Sequence, residues 1–362
     1  MRDDASPVDL AIVGAGIVGL SAAFWARRVH PAWSIVVLER SLVGSGATQH
    51  SAALCTPLAR TAAYGAIAAR SLEAYAAMAE VVNLARPRTL PLLLVTSLPQ
   101  IAALAACVQR SPEALEAARV SGAGLPPHLV LGIDERAFGG FTAASRDARR
   151  LPDELARHLT GRAGVRCWDG VQVDAVERRD QSFALQFADG RRLRAARVIA
   201  ATGPWLRGGP GAELAERAGI RIKKIVALHI EGTPPPDAAM CYLFDHGAFL
   251  APIHHEGRWL LSFTSHDWDV APESTRLAVS DTDRRDGLAL VERYFPSLTA
   301  MCSGARVFCD AYTPNGIPLV ARAPGPGDLV VAGGASGAGI RLGPGMAVTA
   351  VEALVSREGD AT

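Results

Sequence analysis

The sequence predicts an α/β protein in which a doubly wound, mainly parallel sheet is interleaved with a second, β-rich part of α+β type. Three observations predict this class. An apolar run at 8–13, a helical pattern at 17–30 and a β-branched run at 34–38 give the order strand, helix, strand. Short strand patterns crowd residues 165–194, and after Pro318 the strand and helix order returns. Because no flexible linker or repeat separates these regions, we expect two interleaved domains.

Composition excludes several function classes. The 362 residues carry 37 Lys and Arg against 36 Asp and Glu, a formal charge of +1, which argues against a nucleic-acid-binding surface. The most apolar stretch, residues 90–107, is broken by Pro91 and Pro99 and is a poor membrane span. The six cysteines lack a Cys-x-x-Cys spacing and the histidines form no ligand set, so no metal site is expected. The amino terminus reaches a strand by Val8 without a signal-peptide pattern, which predicts a cytoplasmic protein.

The middle of the chain predicts two helices and a meander. An alanine-rich helical pattern covers 58–83, and proline with early acids at 151–154 is typical of a helix start. Strand patterns at four places predict an antiparallel meander, namely 165–168, 171–177, 183–187 and 191–194. The meander leads into a buried strand at 197–201.

The carboxyl-terminal half returns to strands and one helix. Strands are predicted at 221–230, 248–253 and 258–264, and the turn Glu256-Gly257 makes the last two a hairpin. The segment 329–332 is a further strand, followed by a glycine-rich turn and a helix at 344–356.

The strongest motif is a glycine-rich turn between the first strand and the first helix. Gly14, Gly16 and Gly19 stand at the spacing that dinucleotide-binding turns require, and Glu39 follows the last of them by 20 residues. Gly14 permits the tight turn, Gly16 lets a pyrophosphate approach the backbone, and Gly19 lets helix and strand pack. The helix amino terminus favours phosphate, and Glu39 can accept hydrogen bonds from a ribose diol. This motif alone leaves NAD and FAD both open.

Three further small-residue segments decide between the two cofactors. They are residues 44–52, the strand end 201–205 and the turn 333–344. Together with the glycine turn they resemble the family of FAD-dependent D-amino-acid oxidase, glycine oxidase and sarcosine oxidase, over nearly the whole chain. The resemblance implies a Rossmann-like FAD-binding domain interleaved with a β-sheet-rich substrate domain. The expected FAD-binding segments are 1–87, 148–209 and 310–362, and the expected substrate segments are 88–147 and 210–309.

The resemblance also implies which residues hold FAD. The turn at 333–341 would line the isoalloxazine ring, with the amino terminus of the last helix directed at its electron-rich edge. The expected FAD-binding residues are Gly14, Ala15, Gly16, Ile17, Val18, Gly19, Glu39, Arg40, Gly44, Ser45, Gly46, Ala47, Thr48, His50, Ser51, Ala52, Val173, Ala201, Thr202, Gly203, Trp205, Gly333, Gly334, Ser336, Gly337, Ala338, Gly339, Ile340 and Arg341.

The substrate side departs from the family pattern. Residues 313–318 look like the family's Thr-Pro-Asp-Gly-x-Pro turn, with Asn315 in place of aspartate. Asp310 stands where glycine-oxidase-like members carry an arginine that binds the substrate carboxylate. Arg341 matches the carboxylate-binding lysine of sarcosine oxidases and is the candidate substitute. Alternatively, Arg341 neutralises the reduced flavin or pairs with Asp310.

Three further side chains are candidates for the site. His50 could act as a base or orient substrate because its ordinary pKa lies near neutrality, or it could bond only to backbone or FAD. Tyr242 and Phe249 could form the pocket wall or belong to the core. Cys309 lies one residue away from the position of the flavin-linking cysteine of some sarcosine oxidases, and Phe308 takes that position. A one-residue offset reverses the face of a strand, so FAD is expected to be noncovalent.

The leading functional hypothesis is oxidation of a C–N bond in a small amine or amino acid by hydride transfer to flavin N5, giving an imine. Residues 259–261 lack the lysine that promotes oxygen reaction in sarcosine oxidases, so O2 and another electron acceptor both remain open. One alternative is a flavoenzyme for an unusual nitrogen compound or carrier-bound biosynthetic intermediate. Another is a noncatalytic flavin-binding subunit of a larger dehydrogenase. No nucleic-acid partner or membrane span is expected, and a homo-oligomer is left open.

Overall fold

The computed structural model describes residues 7–273 and 277–355. Some predictions lie outside these residues. They concern the segment before residue 7, the outer ends of the first and last FAD-binding segments, and the last residue of the predicted helix at 344–356.

Strands and helices alternate in the described residues much as the patterns predict. The strands are β1 Val8–Val13, β2 Ile35–Leu38, β3 Leu54–Cys55, β4 Arg88–Ser97, β5 Arg119–Val120, β6 Glu135–Ser145, β7 Val165–Trp168, β8 Val173–Arg179, β9 Ser182–Phe187, β10 Arg192–Ala200, β11 Arg221–Ile230, β12 Met240–Leu243, β13 Ala248–Ile253, β14 Arg258–Phe263, β15 Cys302–Tyr312, β16 Leu319–Arg322 and β17 Asp328–Gly333. The helices are α1 Ile17–Val29, α2 Ala47–His50, α3 Ala62–Val81, α4 Ile101–Cys107, α5 Pro112–Glu116, α6 Arg150–Thr160, α7 Ala212–Arg217, α8 Asp281–Tyr294 and α9 Gly339–Val355.

The first sheet has the order β16-β17-β10-β1-β2-β7, and β9 and β8 continue antiparallel from the beginning of β10. Strands β17, β10, β1, β2 and β7 run parallel. Val13 pairs with Ala200 and Leu38, and Ala200 pairs with Val331, so the carboxyl ends of the central strands lie side by side. Ligands of open parallel sheets bind at this edge.

The second sheet has the order β15-β11-β14-β13-β12-β4-β6-β3, with β5 beside β6. Its strands are antiparallel except for the pair β4 and β12. The turn Glu256-Gly257 joins β13 and β14, which confirms the predicted hairpin. Strand β3 at 54–55 and the end of β15 at Tyr312 belong to this sheet, although both lie within the proposed FAD-binding segments. The proposed domain bounds stay a prediction.

Hydrophobic packing covers both faces of the first sheet. Leu10 and Ile12 contact the layer that contains α1, α6 and α9, whereas Ala11 and Val13 contact the layer under the meander. Continuous apolar runs such as β1 and β2 are typical of strands that are buried on both faces. The sheet is therefore buried on both faces, and its carboxyl edge borders the site.

Three predicted elements differ from the structure. Strand β7 joins the parallel sheet beside β2 and is not part of the meander, because a short strand does not specify its partner. Helix α3 begins at Ala62, since the Thr61 hydroxyl accepts the Tyr64 N–H and caps it. Helix α9 begins at Gly339 and contains Pro344, whereas a start at Pro344 was predicted.

Candidate functional site

A cavity of about 1580 Å³ runs from the carboxyl edge of the first sheet to one face of the second. Typical small-molecule sites measure about 300–1,000 Å³, so this volume can hold a dinucleotide together with a substrate. Every predicted FAD-binding residue lines the cavity except Ala15, Gly19 and Gly44. Those three support the wall from behind.

The glycine turn is shaped by close backbone approaches. Gly14 has φ +103°, and a side chain there would place Cβ 2.4 Å from the Ala201 carbonyl oxygen. A Cβ on Gly19 would lie 1.9 Å from the carbonyl oxygen of Gly14, so this position packs the helix onto the turn. Gly16 is the N-cap of α1 and faces the cavity without a side-chain cap. The first helical turn is therefore open to phosphate.

Glu39 is tied to the glycine turn. Its Oε2 accepts the Ala15 N–H at 2.9 Å, and its Oε1 accepts the Ser41 N–H at 3.0 Å. The Gly44 N–H donates to the Ala15 carbonyl oxygen at 3.0 Å, which holds the second small-residue loop against the turn. A carboxylate has about four acceptor positions, so Glu39 keeps capacity for a ribose diol.

Residues far apart in the chain complete the end of the cavity beside the glycine turn. The Thr48 hydroxyl accepts the Ile17 N–H at 3.1 Å and joins the 44–52 loop to α1. Arg40 pairs with Glu273 at 2.6 Å and lies 4.9 Å from the Trp205 ring centroid. Glu273 was not predicted as a site residue, because its link to Arg40 spans 233 positions and has no local sequence signal.

The turn between β17 and α9 closes the other end. The Thr313 N–H donates to the Ser336 hydroxyl at 3.2 Å, and the Gly337 N–H donates to Asp310 Oδ2 at 2.8 Å. Helix α9 begins at Gly339 on the cavity wall, which places its partial positive charge there.

Several polar atoms on the cavity wall are buried and lack a hydrogen-bond partner among the described residues. They include Thr202 Oγ1, Thr313 Oγ1, Tyr64 Oη and Arg341 Nε. Buried polar groups without partners are rare, so these atoms fit a polar ligand that binds here. Glu39 fits the ribose of FAD, and the open glycine turn fits the pyrophosphate. The α9 amino terminus fits the isoalloxazine ring.

Strand β15 presents alternate side chains to the cavity. Arg306, Phe308, Asp310 and Tyr312 all line it, as the period of two in a strand requires. Cys309 lies on the opposite face and is 4 % exposed. Its position supports the prediction of noncovalent FAD.

Arg341 is engaged with the segment before α3. Its Nη1 donates to the carbonyl oxygens of Thr56 and Leu58, both at 3.1 Å, and to the Thr56 hydroxyl at 2.6 Å. The guanidinium lies 4.8 Å from the Tyr64 ring centroid. Burial lowers the pKa of Arg341 to about 10, so the group stays cationic at neutral pH. Within the described residues it forms no ion pair with Asp310, which leaves that alternative without support.

His50 lies in the cavity with its ring stacked on Phe308 at 5.6 Å. Burial lowers its pKa, and the charges of Arg306 and Arg149 lower it further. The imidazole is therefore neutral at pH 7 and able to accept a proton. Its Nε2 lies 3.3 Å from Gln49 Nε2, which does not distinguish a chemical role from a structural one.

Tyr242 and Phe249 are cross-strand neighbours on β12 and β13. Both are half-buried and line the cavity, so the structure places them on the wall that sequence reasoning proposed.

Sequence reasoning missed four cations of the cavity, namely Arg60, Arg207, Lys223 and Arg306. Lys223 is 7 % exposed and lies opposite Asp310 in the pairing of β11 with β15. Its Nζ lies 4.8 Å from the Trp268 ring centroid and 5.3 Å from that of Tyr312. Burial lowers its pKa. The alternation of residues along β15 could have predicted Arg306. The pairing of Lys223 with Asp310 could not be predicted, because it joins strands that are far apart in the sequence.

Two classes of feature are absent from the described part of the chain. None of its helices is long and apolar enough to cross a bilayer. No group of three or more His, Cys, Asp and Glu side chains in residues 7–273 and 277–355 is arranged to hold a metal ion.

Comparison with known proteins identifies similar folds. The family model described as DAO, FAD dependent oxidoreductase, matches residues 9–353. The glycine oxidase of Geobacillus kaustophilus has a TM-score of 0.77 and 17 % identity, with 97 % of this chain and 95 % of that chain covered. L-proline dehydrogenase of P. horikoshii has a TM-score of 0.76 and 17 % identity, covering 96 % and 93 %. The FAD-bound L-alpha-glycerophosphate oxidase of Mycoplasma pneumoniae has a TM-score of 0.79 and 15 % identity, covering 98 % and 96 %. No curated protein sequence matches the chain significantly.

Proposed function

This chain belongs to the DAO family of FAD-dependent oxidoreductases, and from that premise we propose that it oxidises a C–N bond in a small amine or amino acid. Bound FAD supplies the electron acceptor, since hydride leaves the substrate carbon for flavin N5 and the substrate becomes an imine. The protein's own side chains position the substrate and bind its charged groups.

One observation carries the proposal. A single continuous cavity joins the open glycine turn at Gly16 to a chamber floored by β15 and walled by Tyr242 and Phe249. The glycine turn and the α9 amino terminus at Gly339 would hold the two ends of an extended dinucleotide, and the chamber would take a small molecule. The chamber contains acidic and basic side chains together, as a zwitterionic substrate requires.

Two side chains are proposed to handle the substrate directly. Arg341 uses Nη1 to hold the Thr56 segment, and its buried Nε has no partner among the described residues. We assign this free donor to the substrate carboxylate, since hydrogen bonds between two charged groups are the strong ones. His50 is neutral at pH 7 and can orient a donor group or accept a proton.

The test is anaerobic mixing of the purified, FAD-loaded protein with glycine, D-amino acids, N-methyl amino acids and simple amines. We expect at least one of these compounds to bleach the visible flavin band, while its hydroxy analogue does not. Readmission of O2 to the reduced protein then distinguishes an oxidase from a dehydrogenase. If no nitrogen compound bleaches the flavin, the proposal fails, and a noncatalytic flavin-binding subunit becomes the better account.

Acid precipitation tests the attachment of the cofactor. Because Cys309 lies on the face of β15 away from the cavity, all of the flavin should remain in the supernatant. Flavin that precipitates with the protein would contradict noncovalent binding.

A further inference from the structure

We propose that Asp310 binds the amino group of the substrate, so that the substrate is a primary or secondary amine whose N–H bonds point at β15. This polarity is opposite to that of an arginine at the same position, which would bind a carboxylate. The inference rests on the proposed function, because it names the group that holds the nitrogen of the oxidised C–N bond.

The position of Asp310 links it to the reacting end of the cavity. It lies on β15 between Phe308 and Tyr312, which also line the cavity. Its Oδ2 accepts the Gly337 N–H at 2.8 Å, and Gly337 belongs to the turn that opens α9. Its Oδ1 accepts the Ala311 N–H at 2.8 Å. The carboxylate is thus held in place by backbone alone.

Asp310 has unused bonding capacity. An ionised carboxylate offers about four acceptor positions, and these two N–H groups occupy two of them. No side chain in the described ranges donates to it, and it forms no ion pair there. An enclosed anion without a cationic partner is costly, so a ligand cation at this point offsets that cost.

The cations near Asp310 are directed elsewhere. Lys223 is its cross-strand partner, yet the ammonium lies against Trp268 and Tyr312. Arg341 donates to the Thr56 segment. The charged and titratable groups that face this end of the cavity are Lys223 on β11, Arg306 and Tyr312 on β15, Tyr242 on β12, His50 on α2, Arg60 before α3 and Arg341 on α9.

The chemistry of amine oxidation needs such an acceptor. An ammonium group must lose one proton before its lone pair can form the C=N bond. Asp310 would take that proton, which frees the nitrogen lone pair to form the C=N bond as the hydrogen and its electron pair are lost from carbon as hydride to bound FAD. Burial raises the pKa of Asp310 to about 6, although the Ala311 and Gly337 N–H groups oppose this rise. The group is therefore ionised at pH 7 and more basic than an ordinary aspartate.

The first experiment compares amine and oxygen ligands in the Asp310→Asn variant. The probes are methylammonium, the amine that bleaches the wild-type flavin fastest, and its analogue with oxygen in place of nitrogen. Dissociation constants are read from the change in the visible spectrum of bound FAD. Loss of a charge-assisted hydrogen bond should weaken amine binding by about tenfold to a hundredfold and should weaken binding of the neutral oxygen analogue much less. Asp267→Asn, outside the cavity, is the matched control and should bind both as the wild type does.

The second experiment follows binding against pH. In the wild type, amine affinity should fall as the pH drops through about 6, because protonated Asp310 no longer attracts a cation. The oxygen analogue should lack this limb, and so should Asp310→Asn. His50→Gln should keep it, which separates the response of Asp310 from that of His50.

The outcomes separate this inference from the proposed function. If amines bleach the flavin but Asp310→Asn binds them as tightly as the wild type does, Asp310 is not the amine site. If no amine bleaches the wild-type flavin, the proposed function itself fails. Should Asp310→Asn not retain FAD, the wild-type and His50→Gln pH profiles decide. An amine-specific limb present in both supports the inference, and its absence from the wild type or its loss in His50→Gln overturns it.

Discussion

Arg341 bonds to the protein through one nitrogen of its guanidinium and has an unused donor at another. The guanidinium carries five N–H donors in a planar fork. Nη1 bonds to Thr56 and Leu58, while Nε is buried on the cavity wall without a partner in the described residues. A group held on one side and open on the other is preorganised for a carboxylate.

Replacement of Arg341 by Met should therefore weaken the binding of amino acids more than that of amines. Loss of a hydrogen bond between charged groups predicts an increase of about tenfold to a hundredfold in the apparent dissociation constant of an amino acid that reduces the flavin. The decarboxylated amine should bind as before. Both constants come from anaerobic flavin reduction, with Arg70→Met, outside the cavity, as the control.

Equal losses for the amino acid and the amine would contradict this assignment. They would favour the other function predicted for Arg341, which is to neutralise the reduced flavin.

Helix α9 contains a proline that the surrounding structure accommodates. Pro344 has no N–H for the carbonyl oxygen of Ile340, four residues earlier. The hydroxyl of Tyr75 on α3 donates to that oxygen at 2.7 Å. Close packing of the two helices makes this bond available, because a side chain on Gly345 would place Cβ 2.5 Å from the Ile67 carbonyl oxygen. The α9 amino terminus is thereby held at the cavity.

Tyr75→Phe should lower the free energy of unfolding by about 1–3 kcal/mol, because it leaves a buried carbonyl oxygen without its donor. In a Pro344→Ala background the new N–H can serve Ile340, so the same substitution should cost less. Urea unfolding of the four proteins at one FAD concentration measures this coupling. A cost of Tyr75→Phe that is equal in both backgrounds would show that the hydroxyl does not replace the missing N–H.

Half-buried histidines set the acid response of the whole molecule. Burial is the main cause that lowers the pKa of six of the nine histidines, namely His30, His50, His128, His158, His229 and His254. The folded state therefore binds fewer protons than the unfolded state just below pH 6.5. Stability must fall as the pH drops through this window.

Asp310 acts in the opposite direction. Its raised pKa means that its contribution to stability is present below the ordinary value of 3.8 and is lost as the pH rises through about 6. Burial also raises the pKa of Asp169, but the six histidines outnumber these two carboxyl groups, so we expect the melting temperature to fall between pH 7 and pH 5.5.

His128 offers a direct test of this balance. Its Nε2 is buried without a partner in the described residues, and its ring meets that of Trp259 edge-on at 4.9 Å. His128→Phe should make the melting temperature less dependent on pH, whereas His266→Phe at an exposed position should leave the slope unchanged. A slope in His128→Phe as steep as that of the wild type would argue against burial as the cause.

Sequence patterns locate the segments that line the cavity at the carboxyl edge of the first sheet. The glycine turn at 14–19, Glu39 and the glycine-rich turn at 333–341 all follow strands whose apolar runs are readable. Parallel strands bring their carboxyl ends to one edge, so local signals at each strand end were sufficient. The membership of β7 in the parallel sheet was not predicted, because a strand of four residues does not specify which strand it pairs with.

The chain by itself determined the class of fold, the family and the cofactor, because these depend on short segments whose backbone shape follows from glycines and apolar runs. Tertiary structure alone decided the charges of the substrate chamber. Lys223 lies opposite Asp310, and Arg341 meets Thr56, through strand register and helix packing between distant residues. A shift of one residue in β15 would turn Asp310 away and bring Cys309 to the cavity, and no local pattern specifies that register.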